Sequence, residues 1–396
     1  MWQYNTLDKF GIASRGRSQH RPRNDASLFG GKYPFIQTGD VKKSDLYITE
    51  FEQTYNEKGL AQSKLWDEGT LCITIAANIA DTGILGIKAC FPDSIIGFTP
   101  NEKCDIKFLK YSFDILQTYC KQISRGTTQD NLSWQKLSRI KFPNPPLPTQ
   151  QKIASILSAY DNLIQNYKKQ IEALQTAASE LYKEWFVRFR FPGYETTEFE
   201  NGIPEGWKKT KLNTLISFLN GYAFKSEEYE DIGKFKIITI KNVQDGFFDA
   251  SNADYVNSIP NAMPEHCLLN KGDILMSLTG NVGRLCIVSE NNCLLNQRVC
   301  KIQCRYPYYT YSFLKQDSVF QTICNIAYGT AQLNLSPILA GRLKIIVPTD
   351  ELMKKFDNMV YPIFKKTQVL IEEITNLTQQ RNLLLPRLMS GKLELK

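Results

Sequence analysis

The sequence predicts an α/β (α+β) protein built twice: two similar mixed α/β domains separated by two long antiparallel coiled-coil helices, related as a pseudo-two-fold internal repeat. Three observations predict it. An octet recurs half a chain apart, strand and helix patterns follow in the same order in each half, and a heptad stripe runs on from each half. At 396 residues with 42% apolar and 12% aromatic content, each half has chain enough to bury a core. The formal charge of +8 permits a nucleic-acid partner without demanding one.

The octet Gly126 to Ser133 reappears as Gly329 to Ser336, at an offset of 203 and with six of eight residues identical. The same offset carries Gly69 to Gly272, Asn78 to Asn281 and Pro145 to Pro348, while Trp2 and Leu7 answer Trp207 and Leu212 at 205. In each half a turn glycine leads into an apolar strand, Leu71 to Ile75 and Ile274 to Leu278. Helical spacing follows across Ile106 to Ile123 and across Tyr309 to Ile326, and a proline-containing stretch closes each half. The bounds are domains at 1–145 and 193–348, with helical regions at 146–192 and 349–396.

From Ile153 to Trp185 apolar residues recur at alternating steps of four and three. Leu157, Tyr160, Ile164, Tyr167, Ile171, Leu174 and Leu181 form this seam. Adding 203 gives its partner, with Ile363, Leu370, Ile374, Leu377 and Leu384 on the stripe and Thr367 and Arg381 as polar departures. Two amphipathic helices, each packed on its own domain, are the alternative, but so narrow a stripe is that of a helix pair. Pro362 is expected to kink or delay the second helix, because it lacks a backbone donor. Helix one delivers the chain to Trp207, so in an equivalent half helix two ends where it would deliver it to Trp2. The two therefore run antiparallel, and at about 1.5 Å per residue the stretch from Thr149 to Phe186 spans roughly 57 Å.

Several classes of function are disfavoured. The ten cysteines contain no C-x-x-C pair and there are only two histidines, His20 and His266, so neither a zinc module nor a histidine-activated nucleophile is supported. Reduced, buried thiols in a cytoplasmic protein are expected, with no signal peptide and no membrane span. No G-x-x-x-x-G-K-[ST] loop is present to hold a nucleotide. Asn144, Pro145, Pro146 and Leu147 approach the N-P-P-aromatic motif of adenine methyltransferases, but the stacking position is a leucine, and a stiff lead-in to the helix is favoured.

Paired domains at a fixed separation suit a long periodic ligand, as two-fold proteins read DNA half-sites about 34–36 Å apart. Leu181 to Gly193, including Trp185, Phe186, Phe189, Phe191 and Pro192, followed by Gly202 to Trp207, resembles the central region of type I restriction-modification specificity subunits. Residues 146–153, the repeated octets and the ending Gln380 to Leu393 resemble further parts of the same family, in order along the chain. The resemblance implies two target recognition domains, each reading a few base pairs of a bipartite site, with the helices fixing the gap. It implies a non-catalytic subunit without a cofactor of its own. Two methyltransferase subunits would bind the helices and use S-adenosylmethionine, and restriction subunits would supply ATP-driven cleavage. A bivalent protein-binding scaffold is the alternative from another class, and a stand-alone adenine methyltransferase the third reading.

Candidate contacts to double-stranded DNA lie in loops. Arg15, Arg17, Arg21 and Arg23 cluster with Ser14, Ser18 and Asn24 in a stretch suited to phosphate contact or guanine readout, an ordinary solvated loop being the alternative. Lys42 and Lys43 in the first half, and Lys241 and Asn242 in the second, follow the strand after a Gly-Lys-aromatic turn. In the octets, Gln129 and Gln332 suit adenine and Thr127 and Thr330 suit phosphate, although the same residues suit a turn or helix cap. Asn281 and Tyr328 complete the set.

Overall fold

The computed structural model describes residues 2–124, 132–329 and 333–393 and divides into two compact units. Unit 1 comprises Met1–Lys168 with Ile374–Lys396, and unit 2 comprises Lys169–Glu373. The principal helices, in chain order, are α1 (Thr38–Lys43), α2 (Ile106–Ser124), α3 (Leu147–Tyr182), α4 (Pro307–Leu314), α5 (Asp317–Ile326) and α6 (Asp350–Met389).

Unit 1 contains a five-stranded sheet in the order Gly11–Arg15, Ile95–Pro100, Leu71–Thr74, Thr82–Leu85, Tyr47–Ile48. Its second sheet runs Gln53–Tyr55, Phe29–Phe35, Ala89–Cys90, Leu65–Trp66. Unit 2 repeats the second order and the first four strands of the first. Ile216–Asn220, Val299–Cys304, Ile274–Ser277 and Leu285–Ile287 form one sheet, and Asp254–Val256, Phe235–Ile238, Cys293–Leu295 and Leu268–Leu269 the other. The parallel pairing within the second sheet also recurs, with Phe35 beside Cys90 and Ile237 beside Leu294.

The continuous apolar runs became interior strands because both of their faces are covered: every residue of Leu71–Thr74 and of Ile274–Ser277 is buried. Phe98, Phe108, Phe113 and Phe142, each 0% exposed, fill the unit 1 core. Burial of each such ring contributes about 1.5–3 kcal/mol. All ten cysteines are free, and burial pushes the Cys120 thiol up to about 11 and that of Cys104, beside Asp105, to about 12. None of the described helices is long and apolar enough to cross a membrane.

The helical stretch expected from Tyr309 to Ile326 is broken in two. Gln316 turns to extended backbone and its side-chain amide donates to the Ser312 carbonyl at 2.9 Å, taking the acceptor that a continuing helix would use. Unit 1 keeps a single helix there, α2.

The two long helices contribute to both units and run antiparallel within each. In unit 1, Ile153, Ala154 and Leu157 near the start of α3 cluster with Leu388 and Met389 at the end of α6. In unit 2, Ala178 and Tyr182 near the end of α3 cluster with Phe356, Val360 and Phe364 from the first half of α6. Along the seam Leu157, Ile164 and Leu370 are buried, while Tyr160, Tyr167, Ile171, Leu174, Leu181, Ile363, Ile374, Leu377 and Leu384 are half-buried. The alternatives of a helix pair and of helices packed on domains thus coexist. The two compact units meet within the helices, after Lys168 and Glu373, because the helix ends are core material of the units they enter.

Pro362 does not delay or interrupt α6, which runs unbroken from Asp350 to Met389. Both Pro362 and Asn358, whose carbonyl loses its helical donor, lie on the exposed face, where the orphaned group is open to solvent rather than buried. Of the two polar departures, Thr367 is 7% exposed and donates its hydroxyl to the Ile363 carbonyl at 3.0 Å. Arg381 forms an ion pair with Asp161 of α3, whose side chain is 1% exposed and also accepts from the Tyr111 hydroxyl. Burial and the Asp161 charge raise the Tyr111 phenol above its ordinary range.

Candidate nucleic-acid interface

In unit 1 the arginine-rich loop, residues 16–28, is held by a framework of its own. Gly16 and Arg17 donate their N–H groups to the Ile95 and Phe91 carbonyls at 2.8 and 3.0 Å. The Gln62 side chain accepts from the His20 N–H at 3.0 Å, and Ser63 donates to the Arg17 carbonyl at 2.7 Å. His20 meets Asp25 at 2.8 Å. Bonds from Ser27, with His20 adding to them, hold the Asp25 carboxyl below the usual carboxylate range.

The four arginines divide by role. Arg21 folds back, donating to the Ser18 and His20 carbonyls at 2.7 and 2.8 Å, so part of its guanidinium maintains loop shape. Arg23 grips Asp93 with two bonds of 2.7 and 2.9 Å. Arg17 donates to the Gln19 side chain at 2.8 Å, and Arg15 stands exposed at the end of its strand.

Beside this loop lies a cleft of about 620 Å³ whose lining includes Arg23, Asn24, Phe29, Gln37, Thr38 and Gln53. Gln37 immediately precedes α1 and Gln53 begins an edge strand, and the Gln37 side-chain amide donates to the Gln53 side-chain oxygen at 2.6 Å. Asp40, 8% exposed, anchors this corner by accepting from the Gln37 N–H at 2.8 Å. Lys42 and Lys43 lie exposed at the end of α1, with Lys43 paired to Glu52. The structure therefore gathers Arg23, Asn24 and the amide pair at one opening. Gln37 and Gln53 could not be singled out from sequence, because an exposed polar residue at a helix cap or a strand start carries no periodicity.

Unit 2 builds the corresponding corner from other residues. Asn242, expected at a DNA surface, is 2% exposed and structural. Its side-chain oxygen accepts from the Thr239 N–H at 2.8 Å and its amide donates to the Asp249 carbonyl at 2.9 Å, the place that Asp40 takes in unit 1. A small polar residue three positions past the N–H it accepts from is chosen here to close the turn. Lys241 is exposed, 4.0 Å from Asp254. The loop at 221–234 is acidic, with Glu227, Glu228, Glu230 and Asp231 against Lys225 and Lys234.

Asn281 and Tyr328 belong to neighbouring segments of unit 2, since Thr279 and Tyr328 both bridge to Asn334. Asn281 is exposed on a hairpin turn, its carbonyl accepting from the Ser277 hydroxyl, as that of Asn78 accepts from Thr74. Tyr328 is 60% exposed and pairs with Asn334 through backbone bonds of 3.0 and 2.7 Å. Thr127, Gln129, Thr330 and Gln332 lie outside the described residues. Asn144 is engaged within the fold, accepting from Gln150 at 3.2 Å.

The family described as type I restriction modification DNA specificity domain matches this chain twice, over residues 2–176 and 204–376. The chain belongs to this family. Its two copies coincide with the two halves of the repeat. Among curated relatives, the type I restriction enzyme MjaIX specificity subunit of Methanocaldococcus jannaschii is 27% identical over 93% of this chain and 88% of its own. The MjaVIII specificity subunit of the same organism is 26% identical over 92% and 87%. The crystal structure of a type I restriction-modification system S subunit from M. genitalium matches with a TM-score of 0.60 at 17% identity, covering 98% of this chain and 96% of that one, and shows the shared fold.

Proposed function

We propose that this type I specificity subunit reads a bipartite site in double-stranded DNA, one half-site with each unit, and that the paired helices set the unspecified gap between them. The observation that supports this most directly is the double family match falling on two units of one topology whose equivalent surfaces differ in chemistry. One scaffold used twice suits one kind of ligand, and differing surfaces suit two different half-sites.

The chain is not a catalyst in this reading and holds no cofactor. Two methyltransferase subunits dock on the helices and use S-adenosylmethionine to methylate adenine, restriction subunits supply ATP-driven cleavage, and the complex works in the cytoplasm. This chain's part is to bind and orient the duplex. Its arginines neutralise phosphate, so affinity falls steeply with salt as counterions are released.

Mapping of methylated adenines in a host carrying this chain and its methyltransferase partner tests the proposal. One bipartite motif with a constant gap is expected, and a continuous motif or none at all would overturn it.

A further inference from the structure

Strand register identifies which residues of the two units occupy the same place. Phe35 pairs with Gln53 on one side and Cys90 on the other, and Ile237 pairs with Asp254 and Leu294. Leu65 and Leu268 are the next partners outward, so Gln53 and Asp254 are equivalent. Two residues beyond Phe35 and Ile237 stand Gln37 and Thr239, each donating its N–H at 2.8 Å to the side chain three positions on, Asp40 or Asn242. The turn is therefore built alike in both units, while the side chains it presents are not. Unit 1 presents two neutral amides bonded to each other at 2.6 Å, and unit 2 presents a carboxylate with an ammonium 4.0 Å away, Asp254 and Lys241.

We propose that this repeated corner reads a base pair in each half-site: an A·T pair through Gln37 and Gln53 in unit 1, and a C·G pair through Asp254 and Lys241 in unit 2. The inference rests on the proposed function and assigns specificity to particular side chains within it. An adenine edge in the major groove offers an N6 amino donor and an N7 acceptor, which a glutamine matches with its carbonyl and its amide. The bond between the two amides limits their rotation before DNA arrives, so less conformational freedom is lost on binding. Both residues line the cleft of about 620 Å³ beside Arg23 and Asn24, which leaves room for a base edge to approach. In unit 2 the Asp254 carboxylate accepts from a cytosine N4 amino group, and Lys241 donates to O6 or N7 of the paired guanine. Thr239 is too short to replace an amide, so the carboxylate and the ammonium carry the readout.

The test maps methylated bases in a host carrying the complete complex with Gln53→Ala or Asp254→Ala. Gln53→Ala is expected to relax selectivity at one A·T position of one half-site by roughly ten- to a hundredfold, leaving the gap and the other half-site unchanged. Asp254→Ala is expected to relax one C·G position in the other half-site by a similar factor. If a variant stops methylation, the purified complex is competed between duplexes that differ only at that pair, which reads the same preference. A wild-type bipartite motif that both variants reproduce with full selectivity would overturn the base assignment alone. Absence of any bipartite motif in the wild type would overturn the proposed function as well, so the two failures are distinguishable.

Discussion

Where unit 1 places Asp161 and Arg381 across its helix seam, unit 2 has Phe364 and Ala178 at the positions displaced by 203. In unit 1 the carboxylate is 1% exposed and satisfied by a guanidinium and a tyrosine hydroxyl. In unit 2 the same level of the seam opens into a cavity of about 310 Å³ bordered by Ala178, Ser312, Phe364 and Thr367. The loops differ in parallel, arginine-rich at 16–28 and acidic at 221–234. Strand order and turn geometry tolerate all of this, because they depend on apolar alternation and backbone bonds rather than on which polar groups fill the seam or rim. A duplicated scaffold can therefore diverge in what it recognises without losing its fold.

The largest effect that would test this contrast is at the seam. Arg381→Ala leaves Asp161 buried without its counter-charge and is expected to destabilise the protein by about 3–5 kcal/mol in urea unfolding, whereas Arg381→Leu combined with Asp161→Leu restores most of the loss. A single-variant cost below about 1 kcal/mol would mean that the ion pair is no more than an exposed one.

Asn242→Ala comes next. It removes a buried side chain that partners a half-buried N–H and a half-buried carbonyl and is expected to cost about 1–3 kcal/mol while leaving the methylation motif unaltered. A changed motif with unchanged stability would return this residue to the DNA surface. Smaller again is Ala178→Leu, which adds apolar volume where unit 2 has space. It is expected to raise stability by about 0.5–2 kcal/mol, and destabilisation would show that the cavity walls do not accommodate it.

The loops give the mildest test. In the assembled complex, Arg17→Ala is expected to reduce the slope of log affinity against log salt by about one unit. Glu227→Ala should leave the slope unchanged, since an acidic side chain has no phosphate counterion to release. Equal responses from the two loops would show that the contrast in charge does not reach the DNA.

The helix seam was legible in the sequence because steps of three and four, sustained over many turns, match the helical period and no strand or loop produces them. The break at Gln316 was not, since it depends on a side-chain amide taking one backbone acceptor. Among candidate contacts, Arg15, Arg17, Arg21, Arg23 and Lys241 are exposed, while Ser18 and Asn242 turn inward. The residue type of Asn242 suits a turn and a groove equally well, and only its partners distinguish the two.

By itself the sequence determined that the chain is a repeat of two mixed α/β halves, each followed by a helix that wants a partner. Repetition and hydrophobic period are local properties, written into consecutive residues and preserved whatever the rest of the chain does. Tertiary structure alone decided that Asp161 meets Arg381 across 220 residues, that Gln37 reaches Gln53, and that each helix gives one end to each compact unit. Those outcomes depend on which distant side chains are desolvated together, and the pairing of two polar groups leaves no period in a sequence by which to find them.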